Sequence, residues 1–223
     1  QVKYIINKHM RFKNKTVIVT GAGSGIGETT AIKFAQEGAN VVIADIDPIN
    51  GNIVTTKIND ANGSALFVET DVASFEAINQ MVNKTINEFD LPDILINNAG
   101  INVFGEPLSM PDSEWKRAFS VDLDGVWFGC KAVLPHMLKK NKGSIVNVAS
   151  VHGIQIIPNC FPYPVAKHGV IGLTKALAVD YASKGIKINS ISPGYIDTPI
   201  VERFFKTKPD PDAARKEAEN HQT

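Results

Sequence analysis

Six short runs of β-branched and apolar residues, with no polar alternation inside them, constrain this chain more than any other feature. They are Thr16–Thr20, Val41–Ala44, Leu66–Glu69, Ile94–Ile96, Ser144–Val148 and Lys187–Ile191. A strand with one wet face alternates polar and apolar residues, whereas a continuous apolar run belongs to a sheet covered on both faces. Longer stretches with helical periodicity lie between the runs: Gly25–Gln36, Ile49–Ala61, Phe75–Phe89, Glu114–Lys140 and Tyr163–Ser183. Strands alternating with helices build βαβ units and hence a parallel sheet. Right-handed crossovers then predict an α/β, doubly wound parallel β-sheet with helices on both faces. No internal repeat, low-complexity segment or linker divides residues 1–223, which read as a single domain.

Composition narrows the function classes. Lys and Arg number 23 and so do Asp and Glu, giving zero formal net charge. Phosphate-backbone binding needs a positive excess, so nucleic acid is not the expected partner. Apolar residues make up 43% of the 223, enough for a full core. No apolar run approaches the roughly 18 residues of a membrane span. Two cysteines, Cys130 and Cys160, make no disulfide framework and point to a reducing, cytoplasmic compartment. Residues 1–12 carry no apolar run fit for a signal peptide. Residues 1–10 match no element of the later pattern, and His9-Met10 reads as an N-terminal extension or tag remnant joined to the native start. At the other end, 200–223 is polar and charge-rich, a solvated surface segment with a substrate lid as the rival reading. Within it Asp210-Pro211 suits the start of a short helix over Asp212–Asn220.

After the first strand comes Thr20-Gly21-Ala22-Gly23-Ser24-Gly25-Ile26-Gly27, and a helix follows. Glycines there permit a tight turn and let backbone N–H groups approach a pyrophosphate, whose charge the helix N-terminus favours. The spacing is G-x-x-x-G-x-G from Gly21, Gly25 and Gly27, not G-x-G-x-x-G. A glycine-rich turn alone is a weak signal; its place between strand and helix strengthens it. Asp45 ends the second strand, 18 residues beyond Gly27. A carboxylate there can bind the adenosine ribose hydroxyls and repel a 2′-phosphate, which favours NAD over NADP. The competing reading is a loop carboxylate or cap before Asp47-Pro48.

Several segments together resemble the short-chain dehydrogenase/reductase family. Thr20–Gly27 is similar to its T-G-x-x-x-G-x-G turn, Asn97-Asn98-Ala99-Gly100 to its N-N-A-G segment, and Pro193-Gly194 with Thr198 to its P-G-x-x-x-T loop. Ser150 followed 13 residues later by Tyr163-Pro164-Val165-Ala166-Lys167 resembles its Ser…Y-x-x-x-K signature. The matches run in order from Thr20 to about Pro199. The resemblance implies a Rossmann-like domain that binds a nicotinamide dinucleotide.

The residues also carry their own chemistry. Tyr163 and Lys167 are four apart on a predicted helix and share a face. A free phenol titrates at about 10, too high for a base at neutral pH, and a nearby ammonium favours the phenolate. Tyr163 can then take a proton from a substrate hydroxyl or return it. Ser150 follows a strand C-terminus, where open α/β sheets place ligands, and its hydroxyl can hold the substrate oxygen. Taken singly, a core tyrosine, a surface lysine and a loop serine are the commoner readings; the constellation outweighs them.

One position departs from the family. Val121-Asp122-Leu123-Asp124-Gly125 places Asp122 where the resemblance expects a catalytic asparagine. Its main-chain carbonyl is retained, while the carboxylate could help hold Lys167 charged or disturb the helix there. The resemblance further implies cofactor contacts at Gly21, Ser24, Gly25, Ile26, Gly27, Asp45, Asp71, Val72, Asn98, Ala99, Gly100, Tyr163, Lys167, Pro193, Gly194, Ile196 and Thr198. Asp71 reads equally as a turn carboxylate. His152, Gln155, Asn159 and Tyr195 are candidate substrate contacts, while Ile156, Ile157 and Phe161 suit an apolar pocket or plain packing. The stretch around Phe161–Gly169 loosely resembles sugar and sugar-acid dehydrogenases. His168 reads as a surface or interface residue. No His, Cys, Asp or Glu set has metal-ligand spacing.

The resemblance implies a homodimer or homotetramer built on the two long helices. Family members usually continue into a further helix and last strand, which do not follow before Thr223. The expected activity is hydride transfer between NAD(H) and a secondary alcohol or ketone, with Tyr163 as general acid/base. The alternatives are an NADPH-dependent 3-oxoacyl-thioester reductase on the same fold and a catalytically silent dinucleotide-binding regulator. Asp45 argues against the first; intact Ser150, Tyr163 and Lys167 argue against the second.

Overall fold

The structure, a computed structural model, describes residues 10–156 and 158–220. Most of the N-terminal extension, and Ile157, lie outside the described residues. Six strands form one sheet: β1 (Thr16–Thr20), β2 (Asn40–Asp45), β3 (Ser64–Glu69), β4 (Ile94–Asn97), β5 (Gly143–Val148) and β6 (Ile186–Ile191). Their order is β3-β2-β1-β4-β5-β6, and every pairing is parallel. This is the doubly wound, Rossmann-like sheet that the run pattern predicts.

The sheet sits between two helical layers. Helices α1 (Gly25–Gln36) and α2 (Pro48–Asp60) bury Ala31, Ala35, Val54 and Ile58 against Val17, Val19, Val41 and Ile43. On the other face, α3 (Phe75–Glu88), α5 (Gly125–Lys140) and α6 (Tyr163–Tyr181) pack Met81, Val133, Met137 and Leu177 against Ile18, Val42, Leu95 and Ile145. Successive strand residues thus feed opposite cores, so all five residues of β1 are buried. Each such aliphatic side chain contributes roughly 1.5–3 kcal/mol by leaving water. The outer strand β6 departs from the pattern: exposed Lys187 and Asn189 alternate with buried Ile186 and Ile188. Among the described residues α6 packs on one of its faces, and alternation follows where the second layer stops.

The stretch Glu114–Lys140, predicted as one helix, is broken. It consists of α4 (Asp112–Phe119), a π-helical segment at Ser120–Asp124, and α5. A π-turn keeps helical periodicity in the sequence while rotating the residues beyond it, and such turns are frequent at functional sites. Here it carries Asp122 into the interior, where the residue has no exposed surface. Close approach of α5 to the sheet makes room for this. A Cβ on Gly129 would run into Asn97 Oδ1, and one on Gly125 would press on Val72. The bare backbone lets Asn97 Nδ2 donate to Val126 O at 3.2 Å and to Asn147 Oδ1 at 2.9 Å. Asn147 Nδ2 in turn donates to Thr174 Oγ1 at 2.9 Å, so the network ties β4, β5, α5 and α6 together.

Residues 200–220 also differ from expectation. The segment forms α7 (Pro199–Lys206) and α8 (Pro211–Asn220), and it is not a solvated strip, because Phe205 and Ala218 are buried. Phe204 and Phe205 supply an apolar face that the surrounding charges hide from a composition-based reading. The short helix expected over Asp212–Asn220 is present, with Asp210 Oδ1 accepting from Ala213 N at 3.0 Å. Replacing Gly129 with alanine is predicted to destabilise the fold by about 1–3 kcal/mol through overpacking against Asn97, as measured by urea unfolding.

Candidate active site

The C-terminal ends of β1, β4 and β5 open into a cavity of about 470 Å3. Sheet order changes direction between β1 and β4, which leaves a crevice at that switch point. The turn after β1 forms its floor. Gly21 and Gly25 have φ of +63° and +58°, conformations that favour glycine. At Gly27 a Cβ would strike Gly21 O. Ser24 precedes α1 without capping it through its side chain. Asn98 and Ala99 donate their N–H groups to Thr20 Oγ1 at 3.0 and 3.1 Å, and Asn98 Nδ2 donates to the carbonyls of Thr20 and Gly21. The β4 loop is thereby locked to the glycine turn.

Asp45 sits at the outer end of the cavity. Its Oδ2 accepts from Gly23 N at 2.7 Å and its Oδ1 from Asp47 N at 2.9 Å. The carboxylate thus braces the turn while lining the cavity, and the cap of α2 is Asp47 instead. A cradle of bare glycines, an uncapped helix start and a carboxylate at the end of β2 fit a dinucleotide.

At the other end, Ser150, Tyr163 and Lys167 line the same cavity. Ser150 lies just beyond β5, and its Oγ accepts from His152 N at 3.2 Å. Tyr163 opens α6, held edge-on by Phe104 at a ring separation of 5.6 Å. An antiparallel bridge between Phe104 and Pro162 and a 2.7 Å bond from Gly105 N to Phe161 O fix that loop against the start of α6. One helical turn on, Lys167 Nζ lies 5.4 Å from the Tyr163 ring centroid and donates to Val148 O at 3.4 Å.

Asp122 completes the group. Its Oδ1 is 3.5 Å from Lys167 Nζ and accepts from Ile101 N at 3.0 Å. Oδ2 is buried without a hydrogen-bond partner. Burial pushes the Asp122 carboxyl above the usual range, and Lys167 opposes the shift without cancelling it. A buried ammonium is tolerable only with such partners. Glycine at 100 permits the contact, since a Cβ there would lie 2.8 Å from Asp122 Oδ1.

The remaining sequence-predicted residues divide. Ile26, Asp71, Val72, Gly100, Pro193, Gly194, Tyr195, Ile196, Thr198 and His152 line the main cavity. Asp71 also makes a local turn by accepting from Ala73 N at 2.9 Å. Thr198 Oγ1 caps α7 by accepting from Val201 N at 3.4 Å, and Tyr195 stacks on Phe205. Asn159 lines a neighbouring cavity, not the main one. Gln155 lines neither: its carbonyl meets His152 Nδ1 at 3.2 Å. Ile156 is exposed, and Phe161 stacks on Trp115. His168 is exposed, with its ring Nδ1 2.8 Å from Pro164 O.

The sequence reading missed Thr20 as a clamp on the β4 loop, Phe104 as the wall beside Tyr163, and Ile200, Arg203 and Phe204, which line the cavity from α7. Thr20 carried a signal, as the first residue of its motif; Phe104 carried none. Cys130 is inert, its thiol pushed up to about 12 by burial. Among the described residues no group of three or more His, Cys, Asp and Glu could hold a metal ion, and no helix is long and apolar enough to cross a membrane.

Comparison with known proteins adds four findings. A family model described as short chain dehydrogenase matches residues 15–209. Meso-2,3-butanediol dehydrogenase of Serratia marcescens is 40% identical over 194 residues, 85% of this chain and 74% of that protein. A 3-oxoacyl-[acyl-carrier-protein] reductase of Thermotoga maritima is 36% identical over 209 residues, 94% of this chain and 82% of that protein. The crystal structure of a levodione reductase superposes with a TM-score of 0.87 at 37% identity, covering 95% of this chain and 83% of that one.

The Asp122 geometry makes a stability prediction. A carboxyl raised in the folded state binds protons more tightly there than in the unfolded chain, so its contribution falls as pH rises through the raised value. Asp122→Asn keeps an acceptor for Ile101 N and does not titrate. Its melting temperature relative to wild type is predicted to climb between pH 4 and pH 8, as followed by thermal melts across that range.

Proposed function

The chain belongs to the short-chain dehydrogenase/reductase family and is an oxidoreductase, and from that premise we propose that it transfers a hydride between NAD(H) and a secondary alcohol or its ketone. One observation carries the reading: Ser150, Tyr163 and Lys167 share a single cavity with the glycine turn and Asp45. The relatives named for a secondary diol and for a diketone support the substrate class.

The cofactor would lie along Gly21–Gly27, Asp45, Asp71, Val72 and Asn98–Gly100, with its nicotinamide end towards Ile196 and Thr198. When bound, it supplies the hydride acceptor or donor for the substrate carbon. This chain's own residues manage the proton. Ser150 Oγ already accepts from His152 N, so its hydroxyl proton is free for the substrate oxygen and steadies the charge that grows there. Tyr163 takes the proton from an alcohol in oxidation, or gives it to the oxygen in reduction. Lys167, held by Val148 O and Asp122, keeps a positive charge beside the phenol and would also hold the nicotinamide ribose. Phe104, Ile200 and Phe204 give this end of the cavity an apolar lining.

Asp45 supports NAD over NADP, since its carboxylate lies where a 2′-phosphate would bring like charge. The same residue weighs against the 3-oxoacyl-thioester reductase reading, which the Thermotoga maritima relative favours. We further read the protein as a single catalytic domain that works in the cytoplasm as a homodimer or homotetramer.

Tyr163→Phe is predicted to bind NADH as wild type does while losing turnover about a hundred- to ten-thousandfold; near-wild-type rates would sink the acid/base role. Asp45→Ala should erode the NAD-over-NADP preference in kcat/KM by about 10–100-fold, the worth of a charged hydrogen bond, and unchanged discrimination would refute the ribose assignment.

A further inference from the structure

Beside the cavity of Tyr163 lies a second, more open one of about 690 Å3. Phe104, Ile200, Arg203 and Phe204 line both, so the two are continuous. Its charge is lopsided. Arg117, Arg203 and Lys208 line it against one carboxylate, Glu106. Arg117 is engaged outside, by Glu114 Oε2 at 3.0 and 3.3 Å. Glu106 is committed to its own loop, accepting from Ser109 N at 2.8 Å. The acid nearest in α7, Glu202, is taken by Arg215 at 2.6 Å. Arg203 is thereby left without an ion pair or hydrogen bond among the described residues. The Lys208 ammonium lies over Phe204, its Nζ 4.4 Å from the ring centroid, and makes no ion pair or hydrogen bond among the described residues.

The path from the phenol to these cations is apolar. Tyr163 meets Phe104 at 5.6 Å and Phe104 meets Phe204 at 5.3 Å, both edge to face. A substrate whose carbinol carbon sits at Tyr163 would therefore lay an apolar spacer along two rings before reaching positive charge. A guanidinium forks onto carboxylate and phosphate oxygens alike, and an ammonium adds a second charge. Asn159 offers an amide on the same rim.

We infer that the second cavity is a subsite for an oxyanion, carboxylate or phosphate, carried on the substrate beyond an apolar spacer, with Arg203 and Lys208 as its ligands. This rests on the proposed alcohol oxidation at Tyr163 and narrows its substrate class to secondary alcohols with a remote anionic group.

The test has a turnover arm and a binding arm. With NAD, kcat/KM for racemic 7-hydroxyoctanoate should exceed that for its methyl ester about tenfold or more at low salt. The ratio should fall towards one in Arg203→Ala and in high salt, and recover in part in Arg203→Lys. In calorimetry, heptanoate and hexyl phosphate should each bind the wild-type protein at least about tenfold more tightly than Arg203→Ala. Binding by only one of the two would assign the subsite to that anion. An acid-to-ester ratio near one in wild type, or a ratio that Arg203→Ala leaves intact, overturns the inference, as does heptanoate and hexyl phosphate binding that ignores the substitution. Binding of either anion that depends on Arg203, with neither alcohol turned over, would uphold the subsite and refute the proposed activity.

Discussion

A parallel ladder buried on both faces decides where every loop of this molecule can go. Parallel strands need a crossover after each one, and helices on both faces consume those crossovers. All six strands therefore end at the same edge, and the loops that leave them meet there. The reversal of order between β1 and β4 splits that edge and opens the crevice. The glycine turn follows β1, the Asn98–Gly100 segment follows β4, and Ser150 follows β5. Residues more than a hundred positions apart share one cavity because the sheet leaves them no other place.

Within that frame, the Asp122–Lys167 pair concentrates the electrostatic tension. Neither residue is compatible with a buried core alone. They coexist because Gly100 has no side chain, because the π-turn at Ser120–Asp124 aims Asp122 inward, and because Val148 and Ile101 supply backbone partners. Close approach of α5, permitted at Gly125 and Gly129, holds that turn in position. The unpaired Oδ2 is the residual imbalance, and burial raises the carboxyl accordingly. Fixed charge beside the Tyr163 phenol is thus maintained by packing as much as by the pair itself.

Much of this was legible in the sequence, for definite reasons. The strands showed because double burial forces unbroken apolar runs, and the turn showed because only glycine fits at Gly21 and Gly27. Spacing four apart was enough to place Tyr163 and Lys167 on one face. What stayed hidden depends on contacts distant in sequence. A π-turn has the same residue types as the helix around it, so Glu114–Lys140 read as one element. The apolar face of α7 is two phenylalanines among charges, and its burial needs Tyr195 and Arg215 to pack on Phe205. Gln155, polar and close to Ser150 in sequence, turned its carbonyl to His152 and left the cavity.

In the proposed reaction a carbinol hydrogen leaves as hydride to a nicotinamide bound on the glycine turn while the proton goes to this chain. The most direct measurement is a turnover with 7-hydroxyoctanoate deuterated at its carbinol carbon and NAD, followed by mass analysis of the reduced cofactor. Hydride transfer gives reduced-nicotinamide absorbance and one deuterium per cofactor. Absence of reduced cofactor, or a reduced cofactor whose new hydrogen comes from water, would contradict it.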